Sequence, residues 1–224
     1  MTLLETNHIG IDCLHDAGKA LFNKDFTIEG ISFGGCLDPV IIAAMLELNG
    51  VEPTADAVGA MRRGYHERLA AHAESRSIAR SLPGSHELVD AVQMHDSSPT
   101  VGLLTGNYEE TGTLKIRSAG FDPSVFVVNA WGDGSPHPEP LRSHLPPVAM
   151  ENYQGLKGRS IDPESVVIIG DTIHDVSCAK DNGCRVLAVA TGHAGFDELV
   201  DAGADRTVED LTDTEGIMRW MMDE

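Results

Sequence analysis

Basic side chains are scarce in this sequence. Sixteen lysines and arginines, only five of them lysine, stand against 35 aspartates and glutamates in 224 residues, a formal charge of -19. With no Lys/Arg stripe to neutralise phosphates, neither a nucleic acid nor an anionic membrane surface is expected as a partner. Long apolar runs are missing as well: nothing approaches the roughly 18 consecutive apolar residues of a membrane span. Residues Met1 to Asn7 also lack a basic region leading into an apolar one, so a cytoplasmic location is expected. Cysteine is sparse, and Cys13, Cys36, Cys178 and Cys184 form no CxxC pair. That excludes a zinc knuckle or disulfide framework and predicts four buried or half-buried thiols. The ten histidines show no His-x-x-x-His spacing, which leaves a transition-metal site without support. What remains, 42% hydrophobic and 23% charged residues, is ordinary globular composition for one domain with a subdomain.

The first third reads as helical. Ile11, Leu14, Gly18 and Leu21 share one face of a segment from Ile9 to Phe22. Asp38-Pro39 is a cap and first-turn signal for a helix through Ile42, Met45 and Leu46. Thr54 is placed to cap a third, whose apolar face carries Val58, Met61, Tyr65 and Leu69. After Leu82 the pattern changes. Pro83-Gly84 punctuates the chain, a helix follows through Leu88 and Val92, and four short apolar runs then alternate with helical segments. They are Val101–Leu104, Val125–Val128, Val166–Ile169 and Val186–Val189. Such runs predict a parallel sheet covered on both faces, an α/β core behind an all-α subdomain. The Gly- and Pro-rich stretch from Gly132 to Pro147 reads as a working loop, and Met218, Trp220, Met221 and Met222 as a packing edge of the last helix.

In open α/β sheets ligands bind beyond the carboxyl ends of the strands. Val166–Ile169 runs into Gly170-Asp171-Thr172-Ile173-His174-Asp175 at the start of a helix. Two carboxylates four residues apart can hold one Mg²⁺; equally, Asp171 or Thr172 can cap the helix while Asp175 favours its dipole. His174 is expected to face solvent or the helical subdomain rather than a metal. Val101–Leu104 ends in Thr105-Gly106-Asn107, which offers a hydroxyl and backbone amides to an anion or forms a plain capped turn. Arg142 lies between these segments, as a phosphate-balancing cation or a surface arginine.

The combination, in this order, resembles the haloacid dehalogenase (HAD) superfamily, most closely its phosphoglycolate-phosphatase-like members with a helical cap. Thr105 matches the second motif, Arg142 the third and Gly170-Asp171…Asp175 the fourth. Leu82-Pro83-Gly84 resembles the return from the cap, and Gly35-Cys36-Leu37-Asp38-Pro39 the cap's Gly-x-Thr-Asp segment with Leu37 in place of threonine. The resemblance implies a three-layer Rossmann-like parallel sheet with an inserted all-α cap: residues 1–8 a remnant of the first core motif, 9–80 the cap and 81–224 the core. It further implies a Mg²⁺-dependent phosphomonoesterase for a small phosphorylated metabolite, monomeric or homodimeric. In it Thr105 and Arg142 are catalytic, Gly106 and Asn107 hold the substrate, and Asp171 and Asp175 hold the metal. Tyr65, His66 and Arg68 are the cap's candidates to face substrate, with none of the three singled out. A non-catalytic phosphate- and metal-binding protein and a haloacid-dehalogenase-type hydrolase are the alternatives.

The family's first motif, an apolar strand ending in Asp-x-Asp-Gly-Thr-Leu, is matched only in its tail by Met1-Thr2-Leu3-Leu4. The aspartate nucleophile and its acid partner are therefore absent. Glu5 falls beyond the motif, too far displaced for attack. The expectation is an amino-terminally truncated, inactive form of an enzyme whose first core strand is lacking. The strands ending at Thr105 and Asp171 should then be left with a gap of about 9.6 Å, two interstrand spacings, or be forced together.

Overall fold

Residues 2–223 are described by the structure, a computed structural model; Met1, the first residue of the motif remnant, lies outside them. The chain enters through a two-residue strand, β1 (Leu4–Glu5), and then builds three helices, α1 (Ile9–Leu21), α2 (Asp38–Leu48) and α3 (Ala55–Ser75). It returns through β2 (Arg80–Ser81), which pairs antiparallel with β1, Leu4 opposite Ser81 and Glu5 opposite Arg80. The cap's start signals act as their chemistry requires. Pro39 lies in the first turn of α2, and the Thr54 hydroxyl accepts from the Ala57 N–H at 3.2 Å to cap α3. The apolar face of α3 meets α1 and α2 in one cluster, where Met61, Tyr65 and Leu69 are buried with Leu14, Ile42, Met45 and Leu46. Each such side chain contributes about 1.5–3 kcal/mol on burial.

The core follows as α4 (Ser85–Met94), β3 (Gly102–Leu104), α5 (Glu109–Ser118), β4 (Val128–Ala130), α6 (Leu145–Lys157), β5 (Val167–Gly170), α7 (Ile173–Asp181), β6 (Arg185–Val189), α8 (Phe196–Asp201), β7 (Arg206–Val208) and α9 (Thr214–Met222). Alternation along β6 explains the three layers. Val186 and Ala188 point to a cluster with Val176, Ala179 and Leu199 from α7 and α8. Leu187 and Val189 point to the opposite cluster, with Leu88 from α4 and Ile217 from α9, edged by Met218, Trp220 and Met221.

All core pairings are parallel, but they form two groups, β3 with β4 and β5 with β6 and β7. Among the described residues no strand hydrogen-bonds β3 to β5, the interval where the resemblance places the first core strand. Leu104 packs across it into the cluster of Ile168 and Val176.

Two strands depart from the sequence expectation. In the run Val125–Val128 only Val128 is strand. Asp122, whose carboxylate accepts from Ser124 N–H, starts a 3-10 turn over Pro123–Val125 and delays pairing until Val128–Ala130. The strand β7, with a single valine, offers no apolar run to read. The loop expected over Gly132 to Pro147 ends early, in a 3-10 turn at Arg142–His144 and the start of α6 at Leu145.

Candidate active site

Three backbone segments are knitted together at the carboxyl ends of β3 and β4. Thr105 N–H donates to Ala130 O at 3.1 Å, Gly132 N–H to Asn107 O at 2.8 Å, and, from the cap, Asp38 N–H to Gly106 O at 2.7 Å. Gly106 permits this approach: a Cβ there would lie 2.1 Å from Cys36 O, and a Cβ on Gly132 would lie 2.0 Å from Gly106 O. The buried Asp38 carboxylate accepts from Tyr108 N–H at 3.1 Å, and burial pushes its pKa up from the ordinary value. From α3, Arg62 lies 4.0 Å over the Tyr108 ring, grips both Glu110 oxygens at 2.6 and 2.8 Å, and reaches Asp133 at 2.8 Å. The Arg62 guanidinium holds the Glu110 carboxyl below the usual carboxylate range.

At the end of β5, Asp175 is 5% exposed and takes five donors. Arg142 Nε and Nη2 reach Oδ1 at 3.0 and 2.7 Å; Asp171 N–H, Thr172 N–H and the Thr172 hydroxyl reach Oδ2 at 3.2, 3.1 and 2.8 Å. The Thr172 hydroxyl in turn accepts from Asp175 N–H at 3.2 Å, so Thr172 is the cap of α7 and Asp175 completes its capping box. Gly170 makes the fold-back possible, since a Cβ there would fall 2.2 Å from Asp175 Cβ. The Asp171 carboxylate turns the other way. Its Oδ1 accepts from the Thr2 hydroxyl at 2.9 Å, and its Oδ2 lies in a cradle that a Cβ on Gly192 would fill at 2.1 Å.

The cap loop joins the two halves. Gly35 O is 3.5 Å from Arg142 Nη1 and Gly35 packs under the His174 ring, while the next residue, Cys36, abuts Gly106. The structure thus couples Arg142, Asp171 and Asp175 directly, and Thr105 with Asn107 by bonds of 3.2 and 2.7 Å from the latter's backbone and side-chain amides to the Thr105 hydroxyl oxygen. The two sets meet through the cap loop.

Mg²⁺ binds through one or two carboxylates, filling its octahedron with water and substrate phosphate. Among the described residues no three His, Cys, Asp or Glu side chains converge as a ligand group. With both Asp175 oxygens engaged by donors, the residues fit a one-carboxylate site at Asp171, whose Oδ2 lies against Gly192. Of the remaining carboxylates considered from sequence, Glu5 is held by Arg80 across the β1/β2 pair. Of the cap's candidates to face substrate, Tyr65 is buried in the cap cluster and Arg68 folds back on Gly64 O at 3.0 Å. Sequence reasoning missed Lys115, and it read Gly132 only as the start of a loop; the approach of Gly132 to Gly106, 26 positions away, has no local signal beyond a glycine two residues after the Val128–Ala130 strand.

The cysteines give a probe of this loop. Burial pushes the Cys13 thiol up to about 11 and the Cys178 thiol up to about 12, whereas Cys36 is half-buried on the cap loop. At pH 8 iodoacetamide, which reacts with thiolate, is expected to modify Cys36 of the native chain and spare Cys13 and Cys178. Peptide mass mapping checks this; modification of Cys178 at the rate of Cys36 would contradict it.

Residues 134–214 match a family described as HAD-hydrolase-like. Among curated proteins, the pyrophosphatase PpaX of Halalkalibacterium halodurans is 25% identical over 152 residues, covering 65% of this chain and 65% of that protein. A phosphoglycolate phosphatase of Chromobacterium violaceum is 28% identical over 155 residues, covering 69% and 61%. The matched stretch spans less than two thirds of either relative's length, at 65% and 61%. Among solved structures, CbbY from Rhodobacter sphaeroides in complex with phosphate superposes with a TM-score of 0.70 at 19% identity, over 94% of this chain and 91% of that one. No helix among the described residues is long and apolar enough to cross a membrane.

Proposed function

We propose that this chain is a HAD-like hydrolase that acts on the phosphoryl group of a small phosphorylated metabolite. The observation that carries the reading is the Arg142–Asp175 pair at the carboxyl end of β5, beneath the cap loop that also meets the end of β3. A guanidinium fixed through Nε and Nη2 by a buried carboxylate is pre-oriented, so its other face meets a developing negative charge without reorganisation. Thr105 would donate its hydroxyl to a phosphoryl oxygen. Because Asn107 N–H is directed at Thr105, the Gly106 amide is the one we assign to substrate. Asp171 would hold Mg²⁺, with Asp175 acting through Arg142 and the start of α7. When bound, the ion would neutralise phosphoryl charge that a protein of formal charge -19 otherwise repels.

The names of the curated relatives, a pyrophosphatase and a phosphoglycolate phosphatase, and the phosphate in the CbbY complex support this substrate class. Chemistry of the superfamily type needs an aspartate nucleophile, which this chain lacks at its matching segment. The test is a phosphatase assay with a small aryl phosphate and Mg²⁺, run on this chain and on one carrying Asp-x-Asp-Gly ahead of the Thr2 position. Turnover is expected to be near zero for the first, and Mg²⁺-dependent and abolished by chelation for the second. Robust turnover by the first would reassign the nucleophile. Saturable phosphate binding with turnover by neither would replace the hydrolase reading with a binding protein.

A further inference from the structure

Behind the Thr105 turn lies a cation that the proposed chemistry does not use. Lys115, two turns into α5, sends its ammonium inward to the Asn107 side-chain oxygen. Around it stand three cap elements: Tyr65 of α3, whose ring centroid lies 5.7 Å from Nζ, Asp38 at the start of α2, and Gly10 of α1, where a Cβ would come 3.4 Å from Nζ and 3.1 Å from the Tyr65 hydroxyl. Burial favours the neutral amine, but the attraction of Tyr65 and Asp38 outweighs it and holds the pKa above the ordinary lysine value.

We propose that Lys115 is a positioning residue for the phosphate grip: it fixes the Asn107 amide so that the Thr105 hydroxyl proton is left to a ligand oxygen. The inference rests on the reading that Thr105 meets the phosphoryl group. An ammonium has three donors and no acceptor, so the group it touches on Asn107 must be Oδ1. The amide nitrogen is thereby turned to Thr105, where Nδ2 donates to Oγ1 at 2.7 Å and the Asn107 backbone N–H donates at 3.2 Å. A threonine hydroxyl has two acceptor lone pairs and one proton. With both lone pairs taken, the proton can only be donated, and an anionic oxygen is the acceptor it suits. Turned by 180°, the same amide would present Oδ1 to Thr105, capture that proton and leave a lone pair facing the substrate. Tyr65, Asp38 and Gly10 belong to the cap, so the cap encloses the ammonium that sets the grip.

The test is calorimetric titration of the full chain with inorganic phosphate and Mg²⁺, alongside ¹⁵N spectra of the Asn107 side-chain amide without ligand. Lys115→Met is expected to weaken phosphate binding about tenfold or more, the scale of one charge-assisted hydrogen bond. In an Asn107→Ala background the same change should add less than about twofold, because the effect runs through Asn107. Asn107→Asp keeps the lysine's partner, and so the fold, but accepts the Thr105 proton; it should lose binding comparably. In the spectra the Asn107 amide protons are expected to be protected in the parent and to exchange freely in Lys115→Met. Unchanged affinity together with an unchanged Asn107 signal in Lys115→Met would overturn the proposal, as would an equal loss in the Asn107→Ala background. A parent that fails to bind phosphate, yet loses Asn107 protection on Lys115→Met, would instead overturn the function reading while leaving the amide assignment standing.

Discussion

Replacing Asp175 with alanine is expected to destabilise the fold by about 3–5 kcal/mol, the cost of removing one partner from a buried ion pair. The pair is enclosed, with side chains 18% and 5% exposed for Arg142 and Asp175, so solvent cannot replace the lost carboxylate cheaply. Three further donors lose their acceptor at once: the N–H groups of Asp171 and Thr172 and the Thr172 hydroxyl. Asp175→Asn keeps the size but cannot satisfy both sets. Its NH₂ group must face either Arg142 or the two amides, so it should fall between the parent and alanine. Urea unfolding of the three proteins, compared at equal m-values, measures the series. A loss below about 1 kcal/mol for Asp175→Ala would mean that Arg142 finds another partner and that the pair is not what fixes it.

Gly106→Ala is the second large effect, and it acts on the cap rather than on charge. The new methyl group would lie 2.1 Å from Cys36 O, 3.0 Å from Cys36 C and 3.2 Å from Leu37 Cα, all backbone atoms with no rotamer to yield. The cap loop must therefore withdraw, stretching the 2.7 Å bond from Asp38 N–H to Gly106 O. Overpacking of this kind costs about 1–3 kcal/mol. We expect phosphate affinity to fall by about tenfold or more, since the loop that reaches both Gly106 and Arg142 is displaced. The alkylation rate of Cys36 should rise in parallel. Gly155→Ala serves as the control: nothing lies within 4 Å of its added Cβ on α6, and it should be neutral or stabilising by up to about 1 kcal/mol. Unchanged Cys36 reactivity in Gly106→Ala would show that the cap loop does not depend on this contact.

What was legible in the sequence was local. Pro39 and Thr54 announce helix starts because first-turn and cap chemistry is decided within three or four residues. The runs at Val166 and Val186 announce strands because burial on both faces leaves an unbroken apolar stretch. The Val125–Val128 run misleads because Asp122 and Pro123 begin a turn whose effect reaches Val128, and because the true strand contains Asn129. That polar side chain serves the sheet itself, accepting from Leu103 N–H at 3.0 Å. At the site, Arg142 and Asp175 were readable as candidates, but their contact, two guanidinium N–H groups on one carboxylate oxygen, spans 33 positions and no spacing rule encodes it. The Thr172 cap was one of two readings for that segment, and both acids kept a structural explanation until the donors to each oxygen were known. Lys115 was invisible for a further reason. As a lysine on a short helix it looks like solvated surface, and the cap residues that enclose it, Gly10, Asp38 and Tyr65, lie 50 or more positions upstream.

The pairing of β1 with β2 gives the molecule a modular seam. Glu5 and Arg80 are register partners, so the chain leaves and re-enters the core at positions whose Cα atoms are about 5 Å apart. Residues 6–79 are therefore topologically an insert, entered and left at adjacent positions without re-routing a core strand. The latches at Asp38, Arg62 and Gly35 are then its compatibility code. A foreign insert would need an N–H for Gly106 O, a cation for Glu110 and Asp133, and a small residue under His174 to seat on this core.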